Sequence, residues 1–320
     1  MEKEFTHVPV LTEEVVAALV PDGPCRIIDG TLGYGGHSSL ILKKNRQAEL
    51  LGIDRDGDAI SSAQKVLDFA SARVHLIRGE FGDLAEHAAA VGWTAVDAIL
   101  LDLGISSPQI DDPRRGFSLR QDGPLDMRMD KRSPSTASRI LNQAAPDELA
   151  RIFWEYGDIR ESRRLARAIS ARRAEKPLTS TLELTALCEE VLGRPRRGSG
   201  LPPATLCFQA LRIAVNDELA QLERALKSAE LLLKAGGRIG VISFHSLEDR
   251  IVKNFFRTAA SSCLCPPGLP VCICGHKATL SIINKKPLTA TQAEIAANPR
   301  SACAKLRIAE KKAAGGEKPA

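Results

Sequence analysis

Three aspartates, Asp29, Asp54 and Asp102, each end a short apolar run that predicts a β-strand. A glycine-rich turn at residues 30–36 follows Asp29 and leads into a segment with helical spacing. Such a turn lets the backbone approach a ligand closely and exposes the free amides of a helix start. Parallel sheets bind ligands at the carboxyl ends of their strands, where Asp54 suits the two hydroxyls of a ribose. The sequence therefore predicts a nucleoside-containing cofactor.

The order of the glycines distinguishes between cofactors. A dinucleotide-binding turn reads G-x-G-x-x-G, whereas here Gly30, Gly33, Gly35 and Gly36 follow directly behind Asp29. An acid at that point repels a pyrophosphate and favours a cationic or zwitterionic ligand. S-adenosyl-L-methionine carries a sulfonium and an α-amino group, so it fits better than NAD. The alternative is a glycine turn with a purely structural role.

The segment at residues 102–109, DLGISSPQ, begins with the third aspartate. In methyltransferases that act on exocyclic amines, the corresponding segment often reads Asp/Asn-Pro-Pro-aromatic. Two acceptors on the amine hydrogens favour a pyramidal nitrogen whose lone pair is aimed at the methyl group. Asp102 is therefore the candidate catalytic residue, with loop carbonyls as further acceptors and Gln109 as an orienting group. The alternative for Asp102 is a helix cap or a loop salt bridge.

Strand and helix patterns alternate over the first hundred residues in four βα units, which predicts an open, doubly wound, mostly parallel sheet. After Gly104 only helices and loops are predicted as far as about Ile213, so an all-helical insertion follows the fourth strand. Late strands at 279–283 and 304–308 are predicted to pair as an antiparallel hairpin at the sheet edge. The predicted domains are a discontinuous catalytic domain (1–108 and 214–310), an inserted helical substrate-recognition domain (109–213) and a disordered tail (311–320). The predicted helices of the insertion are 136–143, 146–155, 160–174 and 180–192.

The insertion carries most of the excess positive charge. Residues 109–213 hold 19 Lys and Arg against 14 Asp and Glu, a net charge equal to the +5 of the whole chain. The usual interpretation of a charged run is a solvated helix face. The preference for arginine over lysine instead favours contact with phosphates, and hence with a nucleic acid. The arginines concerned are Arg160, Arg163, Arg164 and Arg167 at helical spacing, and Arg194, Arg196 and Arg197 in a later loop.

Composition is ordinary for a globular protein, with 44% hydrophobic and 26% charged residues. The N-terminal segment has neither the pattern of a signal peptide nor that of a membrane span. The sequence analysis therefore predicts a cytoplasmic protein without a membrane partner. Oligomeric state stays open, with a homodimer formed through the insertion as one option.

Four of the eight cysteines form two Cys-x-Cys pairs, Cys263 with Cys265 and Cys272 with Cys274. Eight cysteines in a cytosolic chain do not indicate disulfides. Two pairs on either side of a Pro/Gly turn suit a tetrahedral zinc site, although the spacing within each pair is shorter than usual. Because of that short spacing, the sequence analysis favours a surface loop of reduced thiols without a metal, and the zinc site is the alternative.

Three further features have two interpretations each. His75 lies within a strand pattern and is predicted to be part of the core. The alternation of Asp126, Arg128 and Asp130 indicates either a salt-bridged turn or a substrate clamp, and we favour the clamp. His245 follows the fifth strand, where it either contacts the target base or RNA backbone or is a loop histidine with a structural partner.

A set of motifs, in order along nearly the full chain, resembles the RsmH (MraW) family. The motifs are HVPVL (7–11), DGTLGYGGH (29–37), IDRD (53–56), DLGISSPQ (102–109), GPLDMRMD (123–130), FQALRI (208–213) and SFHSLEDR (243–250).

The resemblance implies a Rossmann-like class I S-adenosyl-L-methionine-dependent methyltransferase with an inserted all-helical domain. It implies methylation of N4 of one cytidine, cytidine 1402, in the decoding centre of 16S rRNA in the small ribosomal subunit. The residues at which the resemblance places the cofactor are Gly35, Gly36, His37, Asp54, Phe81, Asp102 and Gln109. Candidate substrate contacts are Arg163, Arg164, Arg167 and His245.

Two other function classes remain as alternatives. One is an amino-methyltransferase that acts on another nucleic acid or on a protein. The other is a non-catalytic RNA-binding assembly factor that keeps the cofactor fold as a scaffold. An oxidoreductase is disfavoured, because Asp29 and the glycine spacing both oppose a pyrophosphate.

Overall fold

The computed structural model describes residues 9–193, 202–266 and 271–313 of the 320-residue chain. The predicted basic loop with Arg194, Arg196 and Arg197 lies outside the described residues, as do residues 314–320 of the predicted tail. The chain divides into two compact units, which we call the sheet unit and the helical unit. The sheet unit comprises Thr6–Gly104 with Leu219–Ala320, and the helical unit comprises Ile105–Glu218, each over its described residues.

A seven-stranded sheet forms the sheet unit's framework. The strands are β1 (Cys25–Asp29), β2 (Ala48–Asp54), β3 (Val74–Arg78), β4 (Val96–Asp102), β5 (Leu233–Ser243), β6 (Leu280–Ile282) and β7 (Lys305–Lys311). Their spatial order is β3-β2-β1-β4-β5-β7-β6, with β1 to β5 parallel. β7 runs antiparallel to β5, and β6 pairs antiparallel with β7 at the edge. The prediction of a doubly wound, mostly parallel, Rossmann-like sheet is confirmed.

The central strands form because their side chains are apolar toward both faces of the sheet, as in parallel sheets covered by helices on each side. Ile27 and Ile28 are adjacent in β1 and both fully buried, and they belong to different apolar clusters. β2 repeats this arrangement with Leu50 and Leu51. The helices of the sheet unit are α1 (Thr12–Leu19), α2 (Gly36–Lys44), α3 (Gly57–Val66), α4 (Leu84–Ala90), α11 (Glu218–Leu232), α12 (Ser246–Ala260) and α13 (Gln292–Ala297), with α11 beginning at the last residue of the helical unit.

The helical unit has its own apolar core, in which Phe153, Leu165 and Leu211 are fully buried. The helix at Thr181–Leu192 begins with a capping box, in which the side chains of Ser180 and Glu183 each accept a hydrogen bond from the other's backbone amide. Its described residues contain helices and one isolated bridge, between Pro124 and Ser180. The helices are α5 (Ser107–Asp111), α6 (Ala137–Gln143), α7 (Pro146–Gly157), α8 (Ser162–Glu175), α9 (Thr181–Leu192) and α10 (Pro203–Asn216).

The four helices predicted within the insertion correspond to α6, α7, α8 and α9, with ends that differ by at most two residues. The structure adds α1, α5, α10 and α13, which the sequence analysis did not predict. The prediction for His75 is wrong. β3 is an edge strand of the sheet, and His75 is exposed there, with its ring edge-on to Trp93.

Among the described residues, no helix combines the length and the apolar character that a membrane crossing requires.

Candidate functional site

Asp29 organises the glycine-rich turn at the carboxyl end of β1. Its side chain is 1% exposed, and the Ser38 hydroxyl donates to Oδ2 at 2.6 Å. The Thr31 amide donates to Oδ1 at 3.2 Å. Burial raises the pKa of Asp29, against the effect of the Ser38 hydrogen bond. Both carboxylate oxygens therefore hold the turn in shape, which is a more structural role than the sequence analysis gave this residue.

The turn delivers the chain into α2 through glycines in the left-handed region. Gly33 has φ +52° and Gly35 has φ +81°, a conformation that side chains with a Cβ rarely adopt. A Cβ on Gly36 would lie 3.1 Å from Pro9 Cγ, so a larger residue there would displace the N-terminal segment. Gly35 caps α2 without a side chain that accepts from the first amides. Such a helix start favours an anionic group such as a carboxylate.

Asp54 ends β2 and connects two loops. Its Oδ2 accepts the Gly33 amide at 2.8 Å, and its Oδ1 accepts the Asp56 amide at 2.8 Å. Burial raises the pKa of Asp54 to about 6, although these two amide hydrogen bonds oppose the shift. Each carboxylate oxygen retains a further lone pair, because an ionised carboxylate has about four acceptor sites. The half-buried group is thus able to accept two hydroxyls as well.

Asp102, at the end of β4, lies beside His37 of α2. His37 Nε2 is 3.4 Å from Asp102 Oδ2, and the two side chains are 5% and 17% exposed. The Asp102 backbone amide donates to Thr31 Oγ1 at 2.5 Å, which ties the end of β4 to the glycine-rich turn. Burial opposes the charged form of His37, but the carboxylates of Asp102, Asp29 and Glu294 raise its pKa.

Several buried side-chain atoms at the carboxyl ends of the central strands have no hydrogen-bond partner among the described residues. They include His37 Nδ1 and Asp102 Oδ1, which are buried. An unsatisfied buried polar atom costs about 1–3 kcal/mol, so folded proteins rarely keep one without a function or a ligand. The set offers carboxylate oxygens, an imidazole and a free helix start. Those groups match the hydroxyls, the cationic centre and the carboxylate of S-adenosyl-L-methionine.

Phe81 lies at the same edge of the sheet. It begins a short 3-10 helix (Phe81–Asp83) after β3, and its side chain is half-buried. A Cβ added to Gly30 would come within 3.5 Å of Phe81 Cβ and 2.6 Å of the Leu101 side chain. The glycine therefore lets the phenylalanine approach the end of β1, where its ring can border a ligand.

His245 caps α12 and is held by Glu248. Its Nδ1 accepts the Glu248 amide at 3.5 Å, and its Nε2 is 3.1 Å from Glu248 Oε1. Glu248 is 2% exposed, and its Oε2 also accepts the Phe244 amide at 2.8 Å. These contacts favour the structural interpretation of His245, and a contact of this residue with the substrate stays a prediction.

The helical unit contains the last residue that the resemblance implied for the cofactor. Gln109 is buried in α5, and its Oε1 accepts the Ser106 amide at 3.1 Å in a capping box. Within this unit Gln109 therefore fixes the start of a short helix. The structure does not bring it together with Asp102 in one compact unit, and its contact with a cofactor stays a prediction.

The Asp126–Arg128 segment is a salt-bridged turn. The Arg128 guanidinium donates to both Asp126 oxygens at 2.8 Å and to the carbonyl oxygens of Lys131 and Ser133. The Arg132 guanidinium likewise binds Asp130, at 2.7 Å. These pairs engage the charged groups with one another, so the structure favours the turn over the clamp that the sequence analysis preferred.

The arginines of α8 divide into two groups. Arg172 lies 3.6 Å from Glu190, and Arg173 donates to the Leu141 carbonyl at 2.7 Å. Arg163, Arg164 and Arg167 are exposed, and none of them has an acidic partner among the described residues. Arg160 is also exposed, but it lies just before the helix. The basic face of α8 that is suited to phosphates therefore consists of Arg163, Arg164 and Arg167, and includes fewer arginines than the run in the sequence.

The structure also brings together the four cysteines of the two Cys-x-Cys pairs, Cys263, Cys265, Cys272 and Cys274. Their Sγ atoms all lie within 4.8 Å of one another. The sequence analysis missed two contacts of the candidate site, between His37 and Asp102 and between Thr31 and Asp102. Both depend on how β1 and β4 align in the sheet, which no local pattern reveals.

Comparison with known proteins identifies one family over nearly the whole chain. The model of the MraW methylase family matches residues 4–312. The "Ribosomal RNA small subunit methyltransferase H" of Heliobacterium mobile is 48% identical over 310 residues, covering 96% of this chain and 99% of the relative. The protein of the same name from Geobacter sp. (strain M21) is 46% identical over 310 residues, covering 97% and 99%. The solved structure of an rRNA methylase from Streptococcus thermophilus aligns over 94% of each chain, at 11% identity and a TM-score of 0.40.

Proposed function

Since this chain belongs to the MraW methylase family, we propose that it methylates N4 of one cytidine in the decoding centre of 16S rRNA, cytidine 1402. The enzyme is a methyltransferase and its methyl donor is S-adenosyl-L-methionine. Methylation of small-subunit rRNA follows from the family and from relatives that are 46–48% identical over nearly their full length. We propose three further details of the reaction: that the base is a cytosine, that the methyl group goes to its N4 atom, and that the nucleotide is number 1402.

The observation that carries the proposal is the buried, unpartnered Oδ1 of Asp102 at the end of β4. The exocyclic nitrogen of cytosine is a poor nucleophile, because its lone pair is delocalised into the ring. A carboxylate that accepts a hydrogen bond from the amine favours a pyramidal nitrogen and localises that lone pair. Asp102 offers this acceptor in a site largely shielded from water, where preorganised electrostatic groups act most strongly.

We expect residues around Asp102 to bind the different parts of the methyl donor. Asp54 would accept the ribose hydroxyls of the donor, the start of α2 after Gly35 and Gly36 would receive its carboxylate, and Phe81 would border its adenosyl part. The bound donor supplies a methyl group on a sulfonium, which is a good leaving group. Thr31 fixes the backbone of Asp102, so that the carboxylate keeps its position during the reaction. Positioning of this kind accounts for much of the rate in a displacement reaction.

Transfer of the methyl group to N4 also releases one proton. A bond forms between N4 and the methyl carbon as the sulfur–carbon bond breaks, and N4 then loses one of its protons. Asp102 would accept a hydrogen bond from that N–H group while the proton passes to solvent water, and His37 Nε2 is 3.4 Å from the Asp102 carboxylate. The pKa of His37 is raised by the neighbouring carboxylates, so the imidazolium would stabilise an ionised Asp102.

The helical unit supplies the proposed contacts to RNA. Arg163, Arg164 and Arg167 present exposed guanidinium groups, which bind phosphates independently of sequence. The target base has to leave its stack, or be unpaired already, before its amine can reach a buried carboxylate. Recognition of the RNA backbone and selection of the base are therefore separate tasks.

The decisive experiment supplies the full chain with labelled S-adenosyl-L-methionine and either 16S rRNA or small ribosomal subunits. We expect label in the RNA, and mass spectrometry of nuclease fragments should find N4-methylcytidine at the decoding centre. Label on another nucleoside, or preferential methylation of competing DNA or protein, would refute the proposed specificity. Calorimetry that detects no binding of the donor would instead favour the non-catalytic assembly factor.

A further inference from the structure

The connection between α12 and β6 contains a cluster of four cysteine side chains at the surface of the sheet unit. Cys263 Sγ lies 3.4 Å from Cys272 Sγ and 3.8 Å from Cys274 Sγ. Cys265 Sγ lies 3.9 Å from Cys272 Sγ, and Cys272 Sγ lies 3.5 Å from Cys274 Sγ. The two Cys-x-Cys pairs thus meet in one group, although six residues separate Cys265 from Cys272.

These separations match the edges of a tetrahedron of sulfurs around a metal ion. With a Zn–S bond of about 2.3 Å, the sulfurs of a tetrahedral site lie about 3.8 Å apart. Sulfurs joined by a disulfide are only about 2.0 Å apart, so the four distances do not describe disulfides. Four thiols brought this close without a metal would gain little, because sulfur is a weak hydrogen-bond donor and acceptor.

The backbone around the cluster is arranged for negatively charged sulfur. The Leu264 amide points to Cys274 Sγ at 3.3 Å, the Cys265 amide to Cys263 Sγ at 3.3 Å, and the Ile273 amide to Cys265 Sγ at 3.4 Å. Gly275 follows directly at φ +63°, so the chain turns sharply away after the last cysteine. Amides directed at sulfur stabilise thiolates, which are the form that binds metals.

The base of this loop is closed on α12. The Thr279 amide donates to the Ala259 carbonyl at 2.8 Å, and His276 Nε2 lies 3.0 Å from the Thr258 carbonyl. His276 is therefore engaged at the base and is not needed as a ligand. The connection has a fixed base and a compact sulfur cluster, which is the arrangement of a small metal-stabilised loop.

We propose that Cys263, Cys265, Cys272 and Cys274 bind one structural Zn²⁺ ion. The four ligands are all protein thiolates, which leaves no open position for catalysis and is typical of closed structural sites. Binding releases the remaining thiol protons and involves no redox change. The ion would hold the α12–β6 connection in place, independently of the methyl-transfer site.

The test measures metal in the full chain after purification under reducing conditions without a metal-affinity tag. We expect about one zinc per chain by mass spectrometry of the metal, as for a structural site. Co²⁺ in place of zinc should give the sulfur-to-cobalt charge-transfer and d–d absorption bands of a tetrahedral thiolate site. Because the cobalt measurement uses the unaltered chain, it remains decisive even if a cysteine variant fails to fold.

The variants Cys263→Ser and Cys272→Ser should each lose most of the bound metal. Cys303→Ser is the matched control, since Cys303 is an exposed free cysteine outside the cluster and should leave the metal content unchanged. Less than about 0.1 zinc per chain after reconstitution with zinc would overturn the proposal. Iron with acid-labile sulfide, or cysteines that resist thiol titration because they are paired as disulfides, would overturn it too.

Discussion

The carboxyl edge of the sheet and the basic face of α8 handle charge in opposite ways. At the sheet edge, the carboxylates of Asp29 and Asp54 accept hydrogen bonds from backbone amides and a hydroxyl at 2.6–3.2 Å. The backbone amide of Asp102 donates to the Thr31 hydroxyl at 2.5 Å. On α8, Arg163 and Arg164 project into solvent without an acidic partner among the described residues. One region fixes its charged groups with hydrogen bonds, and the other leaves them exposed to solvent.

This difference matches the two tasks of a nucleic-acid-modifying enzyme. Bond-making needs groups held within a fraction of an ångström, and buried hydrogen bonds provide that precision. Binding a long polyanion requires positive charge rather than precisely placed groups. Exposed guanidinium groups provide that charge, and the resulting affinity depends strongly on salt. Substitutions at the sheet edge should therefore have large and specific effects, whereas those on α8 should have smaller effects that added salt reproduces.

The largest effect is expected for Asp102→Ala. Removal of the acceptor should lower the rate of methyl transfer by about 10³-fold, the scale of losing one preorganised electrostatic group. Single-turnover assays with saturating donor isolate this step from binding. Asp102→Asn is the matched control, because it keeps one acceptor oxygen and should retain an intermediate rate. Full activity of Asp102→Ala would show that Asp102 does not take part in methyl transfer. It would also contradict the expectation that substitutions at the sheet edge have larger effects than those on α8.

The next effect is expected for Asp54→Ala, which should weaken binding of S-adenosyl-L-methionine by about 10–100-fold. That range corresponds to losing hydrogen bonds to one charged group, each worth about 1.5–3 kcal/mol. Isothermal titration calorimetry measures the affinity, and a thermal unfolding curve reports whether the Gly33 and Asp56 loops persist. Unchanged affinity with an intact fold would assign Asp54 a structural role only.

A smaller effect is expected on α8. The triple variant Arg163→Ala, Arg164→Ala, Arg167→Ala should weaken rRNA binding by about tenfold, and the slope of log K against log salt should fall by about 2. Binding of the donor should not change. Arg172→Ala is the control within the same helix, because Arg172 is already paired with Glu190. An unchanged salt dependence in the triple variant would place the RNA contacts elsewhere.

The smallest effect is a pH dependence of donor binding. The pKa of Asp54 is raised to about 6 by burial, so acidification protonates it and removes the charge that accepts the hydroxyls. Affinity for the donor should therefore fall as the pH drops below about 6, by up to about tenfold per pH unit. The variant Asp54→Asn should lose this dependence. A profile unchanged in Asp54→Asn would assign the titration to His37 or Asp29, whose pKa values are also raised.

Much of the sheet unit could be predicted from local patterns. The strands β1, β2 and β4 are buried on both sides, so they appear as apolar runs, and the aspartates that end them mark the ligand edge. His75 was misjudged because an edge strand and a central strand share the same local pattern. Only the pairing order of the sheet shows that one side of β3 is open.

The candidate site was predictable in composition but not in its connections. The resemblance and the motifs gave His37, Asp54 and Asp102, but not that His37 lies 3.4 Å from Asp102. Such contacts join residues far apart in the chain and depend on strand register. The sequence analysis favours a clamp at Asp126 for a different reason, since residue spacing alone does not show that the Arg128 guanidinium also donates to the nearby backbone carbonyls of Lys131 and Ser133.

β7 lies inside the sheet, between β5 and β6, although it is the last strand of the described chain. It pairs with β5 from Arg238 opposite Glu310 to Ser243 opposite Lys305. During synthesis β5 leaves the ribosome well before β7, so in that interval one side of β5 has no partner strand. An open strand edge of this kind is a template for aggregation. The need for chaperone protection should therefore be greatest late in translation, and should end when β7 inserts.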